Sequence, residues 1–281
     1  MQTKIDCFPC FLKQTAIALK QQPVRQKLWQ NVINRVLAIM QNADIGKPPA
    51  YTTTFIHREI RNLLGTDPFR QIKYEYNNIA MRLYPELKER VINSRDPLLT
   101  STRLAIAGNV IDFGIFTSID IESSIKRALE ADIDVDDYRP FREAVRETEE
   151  ILYLLDNAGE IVFDRLLIEE LVSSGKRVKA VVKGSPVLND VTYEDAVQTG
   201  IEGICNVIDN GSDAIGTILE WTSPEFQKEF SMAKLIISKG QGNFETVTGT
   251  GEKTYFLFQS KCDVVSKELG LSPGSMLLKK S

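Results

Sequence analysis

Residues 151–160 read Ile-Leu-Tyr-Leu-Leu-Asp-Asn-Ala-Gly-Glu, five consecutive apolar side chains followed at once by a carboxylate and an amide. An unbroken apolar run of this length is typical of a central strand in a parallel sheet, which is buried on both faces. Gly159 then opens a helical pattern of apolar residues. In open α/β sheets, ligands bind in the crevice at the carboxyl ends of the strands. The stretch therefore predicts a strand, a helix and, between them, a polar turn in which Asp156 and Asn157 face that crevice.

Two interpretations of Asp156 and Asn157 are open at this point. Their carboxylate and amide oxygens are hard donors of the kind that Mg²⁺ or Mn²⁺ accepts. Either residue could instead cap the following helix, which is a frequent use of both residue types. An isolated Asp-Asn pair favours the cap, so the choice depends on the residues at the ends of the other strands.

The composition is that of an ordinary globular protein without a surplus of positive charge. The chain has 281 residues, of which 43% are hydrophobic and 26% charged, and its formal net charge is −4. This balance lacks the basic footprint of a nucleic-acid-binding protein. No apolar run approaches the roughly 18 residues of a membrane span, and the N-terminus lacks the apolar core of a secretory signal. We therefore expect a cytoplasmic protein of one large or two modest domains.

The chain changes character near residue 140. Residues 1–140 carry apolar side chains at helical spacing and predict an all-helical subdomain. In residues 141–281, apolar runs alternate with helical patterns, which is typical of βαβ units and a parallel sheet. The predicted strands lie at residues 152–155, 178–182, 203–208, 234–238 and 255–258. We therefore predict an α/β fold with a Rossmann-like, mostly parallel sheet flanked by helices.

Prolines and threonines mark the expected starts of helices in the first half. The threonines at 52–54 are candidate N-caps, and Asp67-Pro68 has the pattern of an N-cap followed by proline at the first helical position. Pro85 and Pro97 each predict the start of another helix, because proline is poorly tolerated inside one.

Polar, glycine-containing or basic turns come after all five predicted strands. These turns are Asp156-Asn157, residues 183–190, residues 209–213, residues 239–243 and Ser260-Lys261. Because the carboxyl ends of parallel strands share one edge of a sheet, we expect the turns to face one cleft. Carboxylates suit a divalent cation, whereas lysines, glycine N–H groups and helix N-termini suit a phosphate. Together the turns predict a site for a metal ion and a phosphorylated ligand.

Familiar phosphate- and nucleotide-binding motifs do not account for these turns. The first strand-to-helix turn contains one glycine, Gly159, where a dinucleotide fold needs G-x-G-x-x-G, and no P-loop is present. Ala158 occupies the position of the second aspartate that a haloacid-dehalogenase phosphatase needs. No cysteine is followed by the arginine of a cysteine phosphatase, and the single histidine disfavours histidine-based phosphoryl transfer. Of the mechanisms of phosphate hydrolysis considered, attack by a metal-activated water is the one that these residues still allow.

Two segments of the helical half contain further candidate groups. Within residues 104–116, Asn109 and Asp112 are the only polar side chains, and their spacing places them on one helix face. That placement suits either structural bonding or contact with a substrate. Cys7 and Cys10 form a C-x-x-C for which packing, metal binding and redox chemistry all remain open.

The combined motifs resemble those of the metal-dependent damage-control phosphatases, also called the domain of unknown function 89 family. The segments that carry the resemblance are Asp156-Asn157-Ala158-Gly159-Glu160, residues 183–190, residues 239–245 and Lys261-Cys262. Three N-terminal segments resemble its compact prokaryotic subgroup: Cys7-Phe8-Pro9-Cys10, Asp67-Pro68-Phe69 with Lys73, and Gly108-Asn109 with Asp112. The similarity spans nearly the whole chain.

The resemblance implies an α/β core with a helical N-terminal part, a divalent cation and hydrolysis of phosphorylated metabolites. It implies that Asp156, Asn157 and Asp190 hold the metal. It places four further residues on the substrate side: Glu160, Gly240, Asn243 and Lys261. The larger eukaryotic members have one more residue between the Asp-Asn pair and the glutamate, so Glu160 departs from their spacing.

We therefore predict a metal-dependent phosphatase that acts on phosphomonoesters of small metabolites, such as sugar phosphates or damaged phosphometabolites. Asp156 and Asp190 are the predicted catalytic residues, and the cation is Mn²⁺, Co²⁺, Ni²⁺ or Mg²⁺. Asn109 and Lys183 complete the predicted substrate-binding set, and Asp67 and Lys73 are alternative candidates for shaping substrate choice. Two alternatives remain open: a methyltransferase that uses S-adenosylmethionine, and a non-catalytic metal or nucleotide sensor.

Overall fold

The structure, a computed structural model, describes residues 1–110, 125–126 and 129–281. Asp112, one of the two polar residues in the apolar run, lies outside the described residues. Within the described ranges, no helix has both the length and the apolar character needed to cross a membrane.

Among the described residues, seven strands form one sheet with the order β1-β7-β6-β5-β2-β3-β4. The strands are β1 (Val135–Asp136), β2 (Glu150–Leu154), β3 (Arg177–Val182), β4 (Asn206–Asp209), β5 (Leu235–Lys239), β6 (Thr254–Gln259) and β7 (Met276–Lys280). Neighbouring strands run parallel except for β6 and β7, which are antiparallel. The predicted α/β class with a mostly parallel sheet is confirmed.

The order in which the chain adds strands to the sheet changes direction between β2 and β5. The chain adds β3 and then β4 on one side of β2, and returns to add β5 and β6 on the other side. Ligands bind at such a topological switch point in doubly wound sheets. β2 ends just before Asp156 and β5 ends just before Gly240, so the two predicted turns lie on either side of this point.

Helices precede the sheet and connect its strands. In chain order they are α1 (Cys7–Lys20), α2 (Gln26–Gln41), α3 (Pro49–Leu64), α4 (Arg70–Ile92), α5 (Pro97–Val110), α6 (Tyr138–Glu147), α7 (Glu160–Ser173), α8 (Tyr193–Thr199), α9 (Pro224–Met232), α10 (Gln241–Val247) and α11 (Asp263–Leu269). A short 3₁₀ helix spans Leu219–Trp221.

The sheet is buried on both faces, as the apolar run of β2 predicts. Ile151 and Tyr153 enter a hydrophobic cluster built with side chains of α4 to α8. Leu152 and Leu154 point the other way, because side chains alternate along a strand, and they enter a second cluster with α9, α10 and α11. A third cluster packs α1, α2 and α3 together, with Val264 of α11 among its members.

The division of the chain at residue 140 stays a prediction. The first strand, β1, precedes that position and pairs with β7 at the other end of the chain. Helices α4 and α5 also contribute side chains to the same cluster as the sheet.

Three expectations about local structure were wrong. Pro85 lies inside the continuous helix α4, flanked by the buried side chains of Tyr84 and Leu87. The threonines at 52–54 are interior to α3, where Thr54 Oγ1 donates a hydrogen bond to the carbonyl oxygen of Ala50 at 2.7 Å. Residues 209–213 also have the sequence pattern of a turn that enters a helix, but no α-helix follows them directly, since α9 begins only at Pro224. By contrast, α5 begins at Pro97 as predicted.

Candidate metal and phosphate site

The turns that come after β2 and β3 are tied to each other through their backbones. Asn157 and Asp190 form an isolated antiparallel β-bridge. The N–H group of Val191 donates to the carbonyl oxygen of Asp156 at 2.9 Å. The structure therefore brings Asp190 next to Asp156 and Asn157, although it lies far from them in the sequence.

The Asp156 carboxylate lies in a crowded, negatively charged environment. Its Oδ2 accepts hydrogen bonds from Nδ2 of Asn157 at 2.5 Å and from Nδ2 of Asn109 at 3.2 Å. Loss of hydration raises the pKa of Asp156 well above its usual value, and the negative charges of Glu160 and Asp190 raise it further. A cation at this position would offset that repulsion.

Glu160 begins α7 and is engaged on both carboxylate oxygens. Its Oε2 accepts hydrogen bonds from Nδ2 of Asn109 at 2.9 Å and from Nδ2 of Asn157 at 3.2 Å. Its Oε1 pairs with Nζ of Lys239 at 2.6 Å. With its side chain so occupied, Glu160 supports the position of its neighbours, and its predicted contact with substrate stays a prediction.

Lys239 is the centre of a buried charge cluster that the sequence did not reveal. Its Nζ pairs with Glu160 and with Asp164, both at 2.6 Å, and donates to the carbonyl oxygen of Ala105 at 2.9 Å. Burial opposes the charge, but the two carboxylates raise the pKa of Lys239 to about 12. The expectation that the lysines after the strands all face the cleft was therefore wrong for Lys239, which points into the core.

Asp190 has a buried lysine beside it. Its Oδ2 lies 3.4 Å from Nζ of Lys183, and both side chains are buried. Lys183 also donates a hydrogen bond to the carbonyl oxygen of Gly216. Burial raises the pKa of Asp190, while the charges of Lys183 and Lys73 lower it. A fixed positive charge thus already lies next to one of the predicted metal ligands.

Gly240 lets the backbone after β5 approach Asp156 closely. Its φ is +80°, in the left-handed region that favours glycine. A Cβ atom at this position would overlap the Asp156 carboxylate. The glycine is therefore required both by the backbone conformation and by the space around Asp156.

Asn243 is held in the interior by three hydrogen bonds. Its Nδ2 donates to the carbonyl oxygens of Lys239 at 2.8 Å and Leu155 at 3.3 Å, and its Oδ1 accepts from Oγ1 of Thr217 at 2.7 Å. These bonds join α10 to the end of β2. The predicted contact of Asn243 with substrate stays a prediction.

Lys261 is exposed at the carboxyl end of β6, and its charge lowers the pKa of Asp156. Its backbone N–H donates to Oε1 of Gln241 at 3.0 Å, which links its turn to α10. Because Glu160 and Asn243 are buried, the side chain of Lys261 is more accessible to an incoming phosphate than either of them.

The turn after β4 contributes less than its sequence suggested. Asn210 orders the turn by accepting hydrogen bonds from the backbone of Gly184 at 3.3 Å and Ser212 at 3.0 Å. Asp213, which we expected with the other polar turns, instead pairs with Arg58 at 2.6 Å and with Arg61, both on α3. That carboxylate joins the helical layer to the loop after β4.

The chemistry of Asp156, Asn157 and Asp190 fits a hard divalent cation, because two carboxylates and an amide supply oxygen donors only. Loss of hydration and nearby carboxylates raise the pKa values of the two aspartates, and a bound cation would lower them again. Across residues 1–110 and the other described ranges, no group of three or more His, Cys, Asp or Glu side chains is arranged to hold a metal ion. A site here therefore depends on the amide of Asn157 as the third protein ligand.

Comparison with known proteins gives matches along the whole chain. Residues 3–277 match the family described as the damage-control phosphatase ARMT1-like domain. A damage-control phosphatase of Pyrococcus horikoshii is 31% identical over 285 residues, which cover 99% of this chain and 97% of that protein. A damage-control phosphatase of Archaeoglobus fulgidus is 31% identical over 281 residues, with 97% of each chain covered.

A solved structure agrees with these matches. The crystal structure of a domain of unknown function 89 family protein from Pyrococcus horikoshii superposes with a TM-score of 0.91 at 30% sequence identity. The superposition covers 100% of this chain and 99% of that chain. The agreement therefore extends to the N-terminal helices as well as the sheet.

Proposed function

The chain belongs to the damage-control phosphatase family with the ARMT1-like domain, and from that membership we propose that it is a metal-dependent phosphatase. Its proposed substrates are phosphomonoesters of small metabolites, such as sugar phosphates or damaged phosphometabolites. The observation that carries the proposal is the bridge between Asn157 and Asp190. The bridge joins the turns after β2 and β3 beside the switch point of the sheet, and Lys183 lies next to Asp190, which supports a site for a metal ion and a phosphate.

In this proposal Asp156, Asn157 and Asp190 hold Mn²⁺, Co²⁺, Ni²⁺ or Mg²⁺. Support comes from the loss of hydration at both aspartates, of which Asp190 is buried and Asp156 half-buried, and from the neighbouring negative charges, which also raise their pKa values. When bound, such an ion lowers the pKa of a coordinated water and polarises a phosphoryl oxygen.

The remaining residues bind and orient the phosphate. Lys261 is exposed and acts electrostatically on Asp156, so it can neutralise charge on the phosphoryl oxygens. Lys183, held beside Asp190, adds a second positive charge to the same turns. Gly240 leaves the approach to Asp156 free of a side chain. Positioning and electrostatic stabilisation supply most of the rate in phosphoryl transfer, and these groups are placed to provide both.

Asp156→Ala tests the proposed metal ligand directly. Removing this carboxylate should lower metal-dependent release of phosphate at least about 100-fold, because a metal contributes several kcal/mol to the transition state. Phosphate release is measured with a panel of phosphorylated small molecules and each of the four cations, and circular dichroism checks the fold. Asp209→Ala is the matched control, since Asp209 is also an aspartate at the carboxyl end of a strand but is exposed. Undiminished turnover in folded Asp156→Ala would refute the proposed role.

The same screen separates the enzyme from the non-catalytic sensor, because a sensor would bind the ion and release no phosphate from any substrate. The methyltransferase alternative is disfavoured by the first strand-to-helix turn, which contains one glycine, Gly159, in place of a glycine-rich motif. Calorimetric titration with S-adenosylmethionine tests it directly.

A further inference from the structure

Helix α4 reaches both turns of the candidate site with two buried side chains. Lys73 and Asn77 are four residues apart and therefore share one face of the helix, with 4% and 0% of their surfaces exposed. Oδ1 of Asn77 accepts a hydrogen bond from the N–H group of Gly159 at 2.7 Å, in the turn after β2. Nζ of Lys73 donates to the carbonyl oxygen of Asp190 at 3.4 Å, in the turn after β3.

Asp195 connects these two side chains to each other. Its Oδ1 accepts from Nδ2 of Asn77 at 2.9 Å, and its Oδ2 pairs with Nζ of Lys73 at 3.2 Å. Its Oδ2 also accepts from the backbone N–H and the hydroxyl of Thr192, in the capping box that begins α8. Helix α8 comes directly after the Asp190 turn, so α4 fixes this turn at two points.

We propose that Lys73 and Asn77 are positioning residues that hold the turns bearing Asp156 and Asp190 at the spacing a divalent cation needs. This inference rests on the proposed function, extends it to Asn77, and gives Lys73 a positioning role in place of the role in substrate choice that the sequence suggested. Both side chains act through the backbone: Asn77 on the N–H of Gly159, and Lys73 on the carbonyl of Asp190. Groups that hydrogen-bond around metal ligands typically change metal affinity about 10–100-fold when they are lost.

The geometry of the two turns explains why contacts with the backbone are enough to position Asp156 and Asp190. Gly159 has a φ of +79° and is itself buried, so its N–H group has no access to bulk water as a substitute partner. A buried N–H without an acceptor is unfavourable, and loss of Asn77 would drive the turn to move. The bridge between Asn157 and Asp190 would carry that movement to both aspartates.

The test measures metal affinity in the full-length protein, independently of turnover. Asn77→Ala and Lys73→Met should each raise the dissociation constant for Mn²⁺, measured by isothermal titration calorimetry, at least about tenfold. Lys73→Arg keeps the charge and should retain most of the affinity. At saturating Mn²⁺ the KM for a phosphoester substrate should stay unchanged, because neither residue contacts the phosphate in this scheme.

Gln198→Ala is the matched control. Oε1 of Gln198 accepts from Nδ2 of Asn77 at 2.8 Å, so this variant removes a bond from the same side chain without touching either turn. Its affinity for Mn²⁺ should equal that of the unmodified protein. If Lys73 and Asn77 only stabilise the fold, all variants should lose thermal stability alike and their affinities for Mn²⁺ should stay equal.

Hydrogen exchange of the unmodified protein gives a second measurement in case a variant does not fold. Addition of Mn²⁺ should slow exchange in residues 70–80 together with residues 156–160 and 190–195. Protection confined to the two turns, or unchanged Mn²⁺ affinity in folded Asn77→Ala and Lys73→Met, would overturn the inference. If the unmodified protein binds none of the four cations, the proposed function fails and this inference fails with it.

Discussion

At the scale of single residues, Gly240 shows how closely the site is packed. Gly240→Ala combines left-handed backbone strain of about 1–2 kcal/mol with overlap against Asp156, which adds about 1–3 kcal/mol. We expect a loss of stability in urea and a large loss of phosphate release. Gly249→Ala is the control, because Gly249 has a φ of +79° with no atom near its missing Cβ. Equal losses in both variants would show that strain alone matters and that Asp156 can move aside.

Glu245 makes the stability of the protein depend on pH. Burial raises the pKa of Glu245 to about 7 from 4.5, although Nε2 of Gln241 donates to it at 2.9 Å. Between these values the folded state holds a proton that the unfolded state releases, so stability falls as the pH rises from about 4.5 to 7. Glu245→Gln should remove this loss and gain about 1–3 kcal/mol at pH 8, but little at pH 4.5.

Urea denaturation of both proteins at several pH values measures this difference. Glu252→Gln, at an exposed position, serves as the control and should leave the pH dependence unchanged. A pH profile of Glu245→Gln parallel to that of the unmodified protein would contradict the assignment.

The sequence could place residues at the ends of strands, but it could not show which way their side chains turn. Asp156 and Asp190 were predicted together because the carboxyl ends of parallel strands share one edge of the sheet and because the family resemblance assigns both residues to the metal. Lys239 has the same kind of position, and yet its side chain enters the core toward Asp164. Asn77 was missed because a polar residue on a long helix ordinarily faces water, whereas here contacts with Gly159 and with Asp195, distant in sequence, hold it in the interior.

At the scale of elements, β5 and α7 are joined by a buried ion cluster. Lys239→Met would leave the carboxylates of Glu160 and Asp164 without their cation inside the core, which should cost about 3–5 kcal/mol in the free energy of unfolding. Lys179→Met is the control, because Lys179 pairs with Glu229 at 2.6 Å on the partly exposed surface of β3. That pair should contribute about 0–1 kcal/mol. Similar losses for the two variants in urea titrations would contradict the predicted importance of the buried cluster.

The elements that the sequence predicted well are those with strong local signals. The five strands from β2 to β6 are apolar runs with turns at both ends, and each was located within a few residues. The flanking strands were missed: β1 has two residues, and β7 ends in Lys279 and Lys280, so neither has the pattern of a buried strand. Pro85 was misinterpreted because burial of the residues around it outweighs the cost of proline in a helix.

At the scale of the whole molecule, helices α4 and α5 of the N-terminal half share a core with the sheet. Helix α5 packs against α7 so closely that a Cβ on Gly108 would lie 2.8 Å from Cβ of Phe163. Leu104 on α5 and Ile161 on α7 belong to the same hydrophobic cluster as β2. A fragment of residues 141–281 would expose this apolar surface, and exposed patches of that kind lead to aggregation.

We therefore expect the two predicted parts of the chain to fold as one unit. The full chain should unfold in a single cooperative transition, so that far-UV circular dichroism and tryptophan fluorescence give the same midpoint. The two signals are independent probes, because Trp29 and Trp221 lie in α2 and the 3₁₀ helix, outside the sheet. The fragment 141–281 should be insoluble or digested rapidly by protease under conditions in which the full chain resists. A soluble, protease-resistant fragment with its own cooperative transition would show instead that residue 140 is a true domain boundary. In that case α4 would belong to a separate domain that contacts the proposed metal site. Adding residues 1–140 to the fragment should then raise its affinity for Mn²⁺.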